Sequence, residues 1–255
     1  MAEPTPHLSV QLRHRVGALQ IDVDFHLTQP WTVLFGPSGS GKTTILRAIA
    51  GLIRPQQARI VSTFRAGPKY EPSTTLVDTP KAIYLPAHNR GAPLASQQAR
   101  LFPNKNVLDN MKYGYPRVGS QPEQDFRDEL IAKLPSLFLI ENLLQKFPRE
   151  LSGGETQRVS LARAAMTSNT RILLLDEPFT GLDSPLRDSL IANLLAWQEA
   201  SKTPILSVTH DIAEAFQLDA EVIKLSEGRI IQQGPVATVL AEERARLLEQ
   251  LTPSE

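Results

Sequence analysis

Residues 36–44 combine glycines, a lysine and hydroxyl side chains at a spacing that suits phosphate binding. The glycines let the backbone curl so that its N–H groups point at phosphate oxygens, and Lys42 places a positive charge opposite the terminal phosphates. We expect the hydroxyl of Thr43 to be a ligand for Mg²⁺. An apolar run before the segment and a helical pattern after it supply the strand and helix that a P-loop requires. The predicted P-loop consists of Gly36, Pro37, Ser38, Gly39, Ser40, Gly41, Lys42, Thr43 and Thr44.

Two adjacent carboxylates, Asp176 and Glu177, follow a run of leucines that is typical of a buried strand. Successive side chains of a strand point to opposite faces, so the two acids can act on different groups. We expect Asp176 to hold Mg²⁺, directly or through water, and Glu177 to act as a general base on a water molecule, an effect worth roughly 10²- to 10⁴-fold in rate. Acids that only solubilise a strand end are the alternative, and a P-loop in the same chain disfavours it.

Residues 151–158 place Ser152, Gly153 and Gly154 at the start of a helical pattern. A serine hydroxyl and unobstructed glycine N–H groups at a helix N-terminus form an anion site. A helix cap alone would give no reason for the two glycines or for the polar side chains that follow them. Those side chains are Glu155, Gln157 and Arg158. The segment therefore predicts a second anion-binding site.

The elements that must position these segments alternate between strands and helices. Prolines interrupt residues 62–96, which we expect to be rich in loops, and helical periodicity covers residues 107–165. Strands are predicted as an antiparallel pair within residues 8–27, at 31–35, 171–176 and 204–209, and as a hairpin over 221–233 that turns at 227–228. Helices are predicted at 42–50, ending at Gly51, at 125–134, at 154–165, and from Ser184 as N-cap, with Pro185 as first helical residue, to about residue 200.

Composition narrows the possible functions. The 255 residues contain 27 Lys plus Arg and 27 Asp plus Glu, so no basic excess supports a nucleic-acid ligand. Cysteine is absent, which excludes thiolate metal sites and is typical of a reducing compartment. The chain has neither a run of about 18 apolar residues nor a secretory signal at its start. We therefore expect a cytoplasmic protein that does not cross a membrane.

Together the three segments resemble those of the nucleotide-binding subunit of ATP-binding-cassette (ABC) transporters, and the resemblance extends from about residue 8 to residue 240. It implies a head-to-tail homodimer with two ATP sites. In such a dimer, residues 151–158 are the signature segment, and Ser152 and Gly154 of one copy contact the γ-phosphate held by the other. Asp183 is similar to the family's D-loop aspartate, which crosses the dimer near the partner's P-loop. His210 is similar to the switch histidine that senses the γ-phosphate.

The family also has a glutamine, in its Q-loop, that approaches Mg²⁺ and the attacking water. Gln97 and Gln98 are both available, and the spacing from residues 85–86 favours Gln97. Residues 99–103, with further positions up to Tyr113, are similar to the molybdate-importer branch of the family. The resemblance implies that this stretch lines a groove for a coupling helix of the membrane subunit.

The chain departs from the family pattern in three places. Where the family stacks adenine on an aromatic side chain, this chain offers only His14 or Arg15, which could stack through a planar or cation–π contact, or adenine affinity is weaker. Pro93 removes a hydrogen-bond donor from the strand before Gln97, so we expect this region to be rearranged. The sequence after Val239 is too short for the C-terminal regulatory domain of many molybdate-type ATPases, so we expect no regulation by cargo at this subunit.

The resemblance implies an α/β fold, that of a P-loop NTPase of the ABC type. We expect a single domain in which residues 1–96 and 166–255 form a mixed-sheet core with an antiparallel β subdomain, and residues 97–165 form an inserted helical subdomain. The implied function is Mg²⁺-dependent ATP hydrolysis by an ABC-type transport ATPase. It would energise transport of a solute, with molybdate or another oxyanion as candidate cargo. The implied partners are a second copy, a separate membrane permease at the cytoplasmic face of the inner membrane and, through the permease, a substrate-binding protein.

Two other functions use the same motifs. A soluble ABC ATPase of DNA repair or translation is disfavoured because the chain has one cassette, no basic stripe, and no long coiled coil between the P-loop and the signature segment. A nucleotide sensor without useful turnover is disfavoured by the complete hydrolytic set. That set is Lys42, Asp176, Glu177 and His210.

Overall fold

The chain divides into two units, one formed by Met1–Leu85 with Leu206–Glu255 and the other by Pro86–Ile205. The computed structural model describes residues 7–63, 73–113, 115, 121–166 and 171–251. Among these residues, no helix is long and apolar enough to cross a membrane. The predicted division into a core and an insertion at residues 97–165 stays a prediction.

Strands and helices are numbered in chain order. The strands are β1 (Leu8–Val16), β2 (Leu19–Leu27), β3 (Trp31–Phe35), β4 (Gln57–Ser62), β5 (Thr74–Asp78), β6 (Ile83–Tyr84), β7 (Leu94–Ala95), β8 (Leu173–Asp176), β9 (Ile205–Thr209), β10 (Glu221–Ser226) and β11 (Arg229–Pro235). The α-helices are α1 (Lys42–Ala50), α2 (Val107–Lys112), α3 (Gln121–Leu137), α4 (Gly153–Ala165), α5 (Ser184–Ser201), α6 (Ile212–Gln217), α7 (Val236–Val239) and α8 (Ala241–Leu251). Short 3₁₀ helices cover Ala87–Asn89, Glu141–Leu143 and Pro148–Glu150.

An antiparallel sheet in the first unit has the strand order β2-β1-β4-β5-β6. The predicted pair at residues 8–27 is confirmed, with Leu8 opposite Leu27 and Val16 opposite Leu19. Its alternating pattern puts one set of side chains in the core and leaves the other set exposed. The buried side chains are those of Leu8, Val10, Leu12, Ile21, Val23, Phe25 and Leu27.

Residues 62–96 contain more strand than the sequence predicts. β5 pairs with β4 and β6, and β7 lies parallel to β8 in the second unit, although each of these segments is short. Pro93 precedes β7 and has no N–H to donate, but its carbonyl accepts a hydrogen bond from the N–H of Leu174 at 3.0 Å. The prolines therefore limit strand length without preventing pairing. Part of the predicted loop, residues 64–72, lies outside the described residues.

A mixed sheet in the first unit carries the P-loop. β3 is buried along its whole length, as its apolar sequence predicts, and lies between β10 and β9. β10 runs parallel to β3 and antiparallel to β11, so the predicted hairpin is confirmed. The indole N–H of Trp31 donates to Ser207 Oγ at 2.9 Å and ties the start of β3 to β9. Helix α1 follows β3 and ends at Gly51, as predicted.

The hairpin turn at Gly228 allows a direct prediction about stability. Its φ is +78°, and a Cβ atom would lie 2.3 Å from the carbonyl oxygen of Gln20, whereas Gly17 has a φ of +59° and open space around it. Gly17→Ala is expected to cost about 1–2 kcal/mol of unfolding free energy for the left-handed backbone alone. Gly228→Ala is expected to cost about 1–3 kcal/mol more because the new methyl overpacks. Urea unfolding of both variants measures the difference, and equal costs would contradict the close contact.

The second unit contains helices α2 to α5 among its described residues. The helix predicted at residues 125–134 is longer: α3 extends from Gln121 to Leu137 and continues through Pro135. The helix predicted at residues 154–165 begins one residue earlier, at Gly153. The predicted N-cap of α5 is wrong: the carboxylate of Asp183, not Ser184, accepts from the N–H of Leu186 at 3.0 Å. Aspartate and serine both cap well, so composition alone could not decide between the two neighbours.

Candidate active site

The predicted site residues are divided between the two units. The P-loop and His210 lie in the first, and Gln97, Asp176, Glu177 and the signature segment lie in the second.

Lys42 is buried and lies inside the loop that its own segment forms. Its Nζ donates at 2.8 Å to the carbonyl oxygens of Gly36 and of Pro37 and is 3.4 Å from Ser40 Oγ. The helix α1 begins after Gly41, which has no side chain that could cap it. A buried ammonium at a helix N-terminus fits the phosphates of a nucleotide.

The loop also depends on a close backbone contact at its first residue. Gly36 has a φ of +153°, and a Cβ atom there would lie 2.2 Å from the carbonyl oxygen of Leu225 in β10. Only glycine permits this approach. Among the other residues of the predicted P-loop, Ser38 and Gly39 are exposed, and Thr43 and Thr44, in the first turn of α1, are half-buried.

His210 follows β9 and is exposed. A network on both sides fixes its backbone: Thr209 Oγ1 donates to Glu214 Oε2 at 3.0 Å and accepts from the N–H of Asp211 at 3.0 Å. Asp211 in turn caps α6 by accepting from the N–H of Glu214 at 3.1 Å. These neighbours are not among the residues predicted from the sequence, although a carboxylate three residues after Asp211 is a common sign of a helix start.

Asp176 and Glu177 lie where β8 ends. Asp176 is 2% exposed, and Glu177 has a φ of +49°, an uncommon value for a residue with a side chain. The side-chain amide of Gln97 donates to Glu177 Oε2 at 2.7 Å. The structure thus brings together two of the predicted catalytic residues, and it is Gln97, not Gln98, whose side chain makes this contact.

Thr180 is a neighbour of Glu177 that is not among the residues predicted from the sequence. Its hydroxyl donates to the same oxygen, Glu177 Oε2, at 3.3 Å. The N–H of Thr180 also contacts the carbonyl oxygen of Glu177 at 3.4 Å, so a tight turn returns the hydroxyl to the carboxylate. The sequence does contain a sign of this turn, because Pro178 lies between Glu177 and Thr180 and proline favours turns.

The signature segment is built as a capping box. Ser152 caps α4, with its hydroxyl accepting from the N–H of Glu155 at 3.2 Å while the Glu155 carboxylate accepts from the N–H of Ser152 at 2.7 Å. The backbone hydrogen bond from Ser152 lowers the pKa of Glu155. Gln157 donates to the carbonyl of Pro178, and Arg158 to that of Leu139.

These contacts correct one expectation from the sequence, because each polar residue after the glycines has a structural partner. The glycines differ from them. A Cβ atom at Gly153 would meet nothing within 4 Å, and one at Gly154 would lie 3.0 Å from Leu182 Cδ2. Packing therefore gives no reason for glycine at position 153, whereas an anion approaching the N–H groups of α4 would.

No ready-made metal cage exists in the part of the chain that the structure describes, where no three His, Cys, Asp or Glu side chains cluster. Mg²⁺ usually keeps several waters and the oxygens of a phosphate substrate, and needs only one or two protein ligands. The hydroxyl of Thr43 and the carboxylate of Asp176 are of the right chemistry.

A strand that leads into a glycine loop and a helix, in a mixed sheet, defines a P-loop nucleotide-binding protein. Residues 21–180 match the model of the ABC transporter family. The chain belongs to that family, and the predicted fold class is confirmed.

Relatives and solved structures agree with this membership. The chain is 36% identical over 242 residues to the molybdenum import ATP-binding protein ModC of Mesorhizobium japonicum, covering 92% of this chain and 62% of that protein. It is 38% identical over 233 residues to the ModC of Brucella abortus, covering 91% and 60%. The chain thus spans about three fifths of the length of these relatives. The solved dimer of MJ0796, a bacterial ABC transporter cassette, is similar with a TM-score of 0.68 at 25% identity, over 90% of this chain and 98% of that one.

Proposed function

We propose that the chain is the ATP-hydrolysing subunit of an ABC importer. The observation that carries the proposal is the hydrogen bond of 2.7 Å between Gln97 Nε2 and Glu177 Oε2, directly after a buried Asp176. A glutamine amide and a carboxylate that share one hydrogen bond can together hold a water molecule for attack on a phosphate. The buried Lys42 in its glycine loop supports nucleotide binding.

Each predicted residue receives a role in this reaction. Lys42 and the loop N–H groups bind the phosphates, and Thr43 and Asp176 would hold Mg²⁺, which when bound would neutralise charge on the phosphate oxygens. Glu177 takes a proton from the water that Gln97 orients. His210, whose backbone is fixed by the network around Thr209, contacts the γ-phosphate.

The proposal includes a homodimer. Ser152, Gly153 and Gly154 would bind the γ-phosphate of the ATP held by a second copy, and Asp183 would approach that copy's P-loop. The open space around Gly153 supports this assignment, because a Cβ atom there would meet nothing within 4 Å. The solved MJ0796 cassette is a dimer, which makes the same assembly reasonable for this chain.

The proposed partner is a membrane permease that imports molybdate or another oxyanion, with the chain at the cytoplasmic face of the plasma membrane. The names of the relatives support this cargo class. An aromatic pair on the surface supports docking of the permease on this chain. The ring centres of Phe102 and Tyr113 lie 4.0 Å apart, and Tyr113 is 58% exposed. Lys105 lies 5.7 Å from the centre of the Tyr113 ring.

Recovery of the partner from native membranes tests this proposal. A tagged Glu177→Gln variant is loaded with ATP in its host and purified from gently solubilised membranes. We expect a polytopic membrane protein in stoichiometric amount. A second variant, in which Tyr113→Ala is added to Glu177→Gln, is expected to lose this protein because the exposed ring of Tyr113 is removed. Recovery from the soluble fraction only, with ribosomes or DNA-repair proteins, would contradict the transport role and leave the ATPase chemistry in place.

A further inference from the structure

The position of the P-loop depends on the end of β10. β10 runs parallel to β3 until Lys224, which lies opposite Phe35, the residue before the loop. The pairing of β10 with β11 then shifts register between Lys224 and Leu225. At this register shift the carbonyl of Leu225 faces Gly36. A Cβ atom added to Gly36 would lie only 2.2 Å from the Leu225 carbonyl oxygen. The two backbones are in direct contact, so a displacement of Leu225 displaces the first residue of the loop.

An ion pair holds β10 at the same point. Lys224 Nζ lies 2.6 Å from Glu243 Oε1, and the two side chains are only 19% and 20% exposed. Burial alone would raise the pKa of Glu243, but the hydrogen bond and charge of Lys224, together with a backbone hydrogen bond and the charge of Arg246, lower it. A shielded pair of this kind constrains geometry more than an exposed one does.

Glu243 belongs to α8, which has a second attachment in the same unit. The guanidinium of Arg244 lies 5.1 Å from the centre of the Phe216 ring, over its face. α7, directly before α8, buries Val236 and Val239. The first turn of α8 is therefore fixed against the unit, and Glu243 can act as a fixed anchor for Lys224.

We propose that Lys224 and Glu243 are positioning residues of the nucleotide site, which hold the Leu225 carbonyl against Gly36 and so keep the P-loop in its binding conformation. The inference rests on the proposed function, since it requires that the loop binds ATP. A movement of α8 would then change the affinity for ATP without touching the nucleotide.

The test measures the affinity of the full chain for mant-ATP with Mg²⁺, together with its melting temperature. Glu243→Gln and Lys224→Met are each expected to weaken binding by roughly three- to thirtyfold, the range typical of positioning networks. The double charge reversal, Lys224→Glu with Glu243→Lys, is expected to restore most of the affinity. Glu242→Gln is the matched control, because it removes an ion pair from the same helix that is exposed to solvent. In that pair Glu242 lies 3.4 Å from Arg246, and the two side chains are 78% and 73% exposed, respectively.

Each outcome decides the inference. A lower melting temperature with unchanged affinity in Glu243→Gln and Lys224→Met would show that the pair is merely structural and overturn it. Equal weakening in Glu242→Gln would also overturn it, because the effect would then belong to the whole helix. A wild-type chain that binds no mant-ATP would refute the proposed function itself, and the inference with it.

Discussion

Glu177→Gln is expected to hydrolyse ATP roughly 10²- to 10⁴-fold more slowly than the wild-type chain, because the amide cannot accept the proton of the attacking water. This loss corresponds to about 2.7–5.4 kcal/mol of transition-state stabilisation. ATP affinity is expected to stay unchanged, since no charge that opposes the phosphates is lost. The measurement is phosphate release at saturating Mg²⁺ and ATP, with mant-ATP affinity measured on the same samples.

The matched control for this variant is Glu227→Gln in the β10–β11 turn. Glu227 has a φ of +47°, close to the +49° of Glu177, so both substitutions place an amide on a left-handed backbone. Glu227→Gln is expected to retain wild-type turnover. If Glu177→Gln also turns over within a few-fold of wild type, Glu177 is not the general base.

Lys42→Ala is expected to lose about ten- to a hundredfold in ATP affinity, and hydrolysis at ordinary ATP concentrations with it. A hydrogen bond to a charged group contributes about 1.5–3 kcal/mol. The substitution removes the charge opposite the phosphates and leaves the carbonyls of Gly36 and Pro37 without their donor at 2.8 Å. Titration with mant-ATP measures the loss.

Lys81→Ala is the control for the Lys42 variant, because it removes a lysine that is 70% exposed and pairs with Asp78 in the antiparallel sheet. It is expected to bind mant-ATP as the wild type does. Unchanged affinity in Lys42→Ala would refute the phosphate contact that the sequence predicts.

The parts of the fold that were predictable are those with strong local signals. β3 is apolar on both faces and leads into a glycine loop, and α1 ends at Gly51, so short stretches of sequence define each element. β5, β6 and β7 were not predictable, because they are short and depend on pairing with other strands: β5 pairs with β4 and β6, and β7 pairs with the distant β8. The N-cap of α5 was placed one residue late because two adjacent residues can both cap.

The site shows the same division. Residues that belong to a contiguous motif, such as Lys42 and Glu177, can be proposed from type and spacing, and their roles stay predictions. Thr180 and Glu214 were missed because their contacts depend on how a turn folds back. The approach of Leu225 to Gly36 could not be predicted at all, since it joins residues far apart in the chain through a register shift in β10. Glu155, by contrast, was given a functional interpretation, although a capping box explains it locally.

The mass of the Glu177→Gln variant in solution, with and without MgATP, tests the central claim most directly. Gel filtration with light scattering should find the 28.2 kDa monomer without nucleotide or with MgADP. It should find about twice that mass with MgATP, because two copies that cannot hydrolyse ATP stay joined by their P-loops and signature segments. A variant that binds mant-ATP but keeps the monomer mass at saturating MgATP would contradict the account.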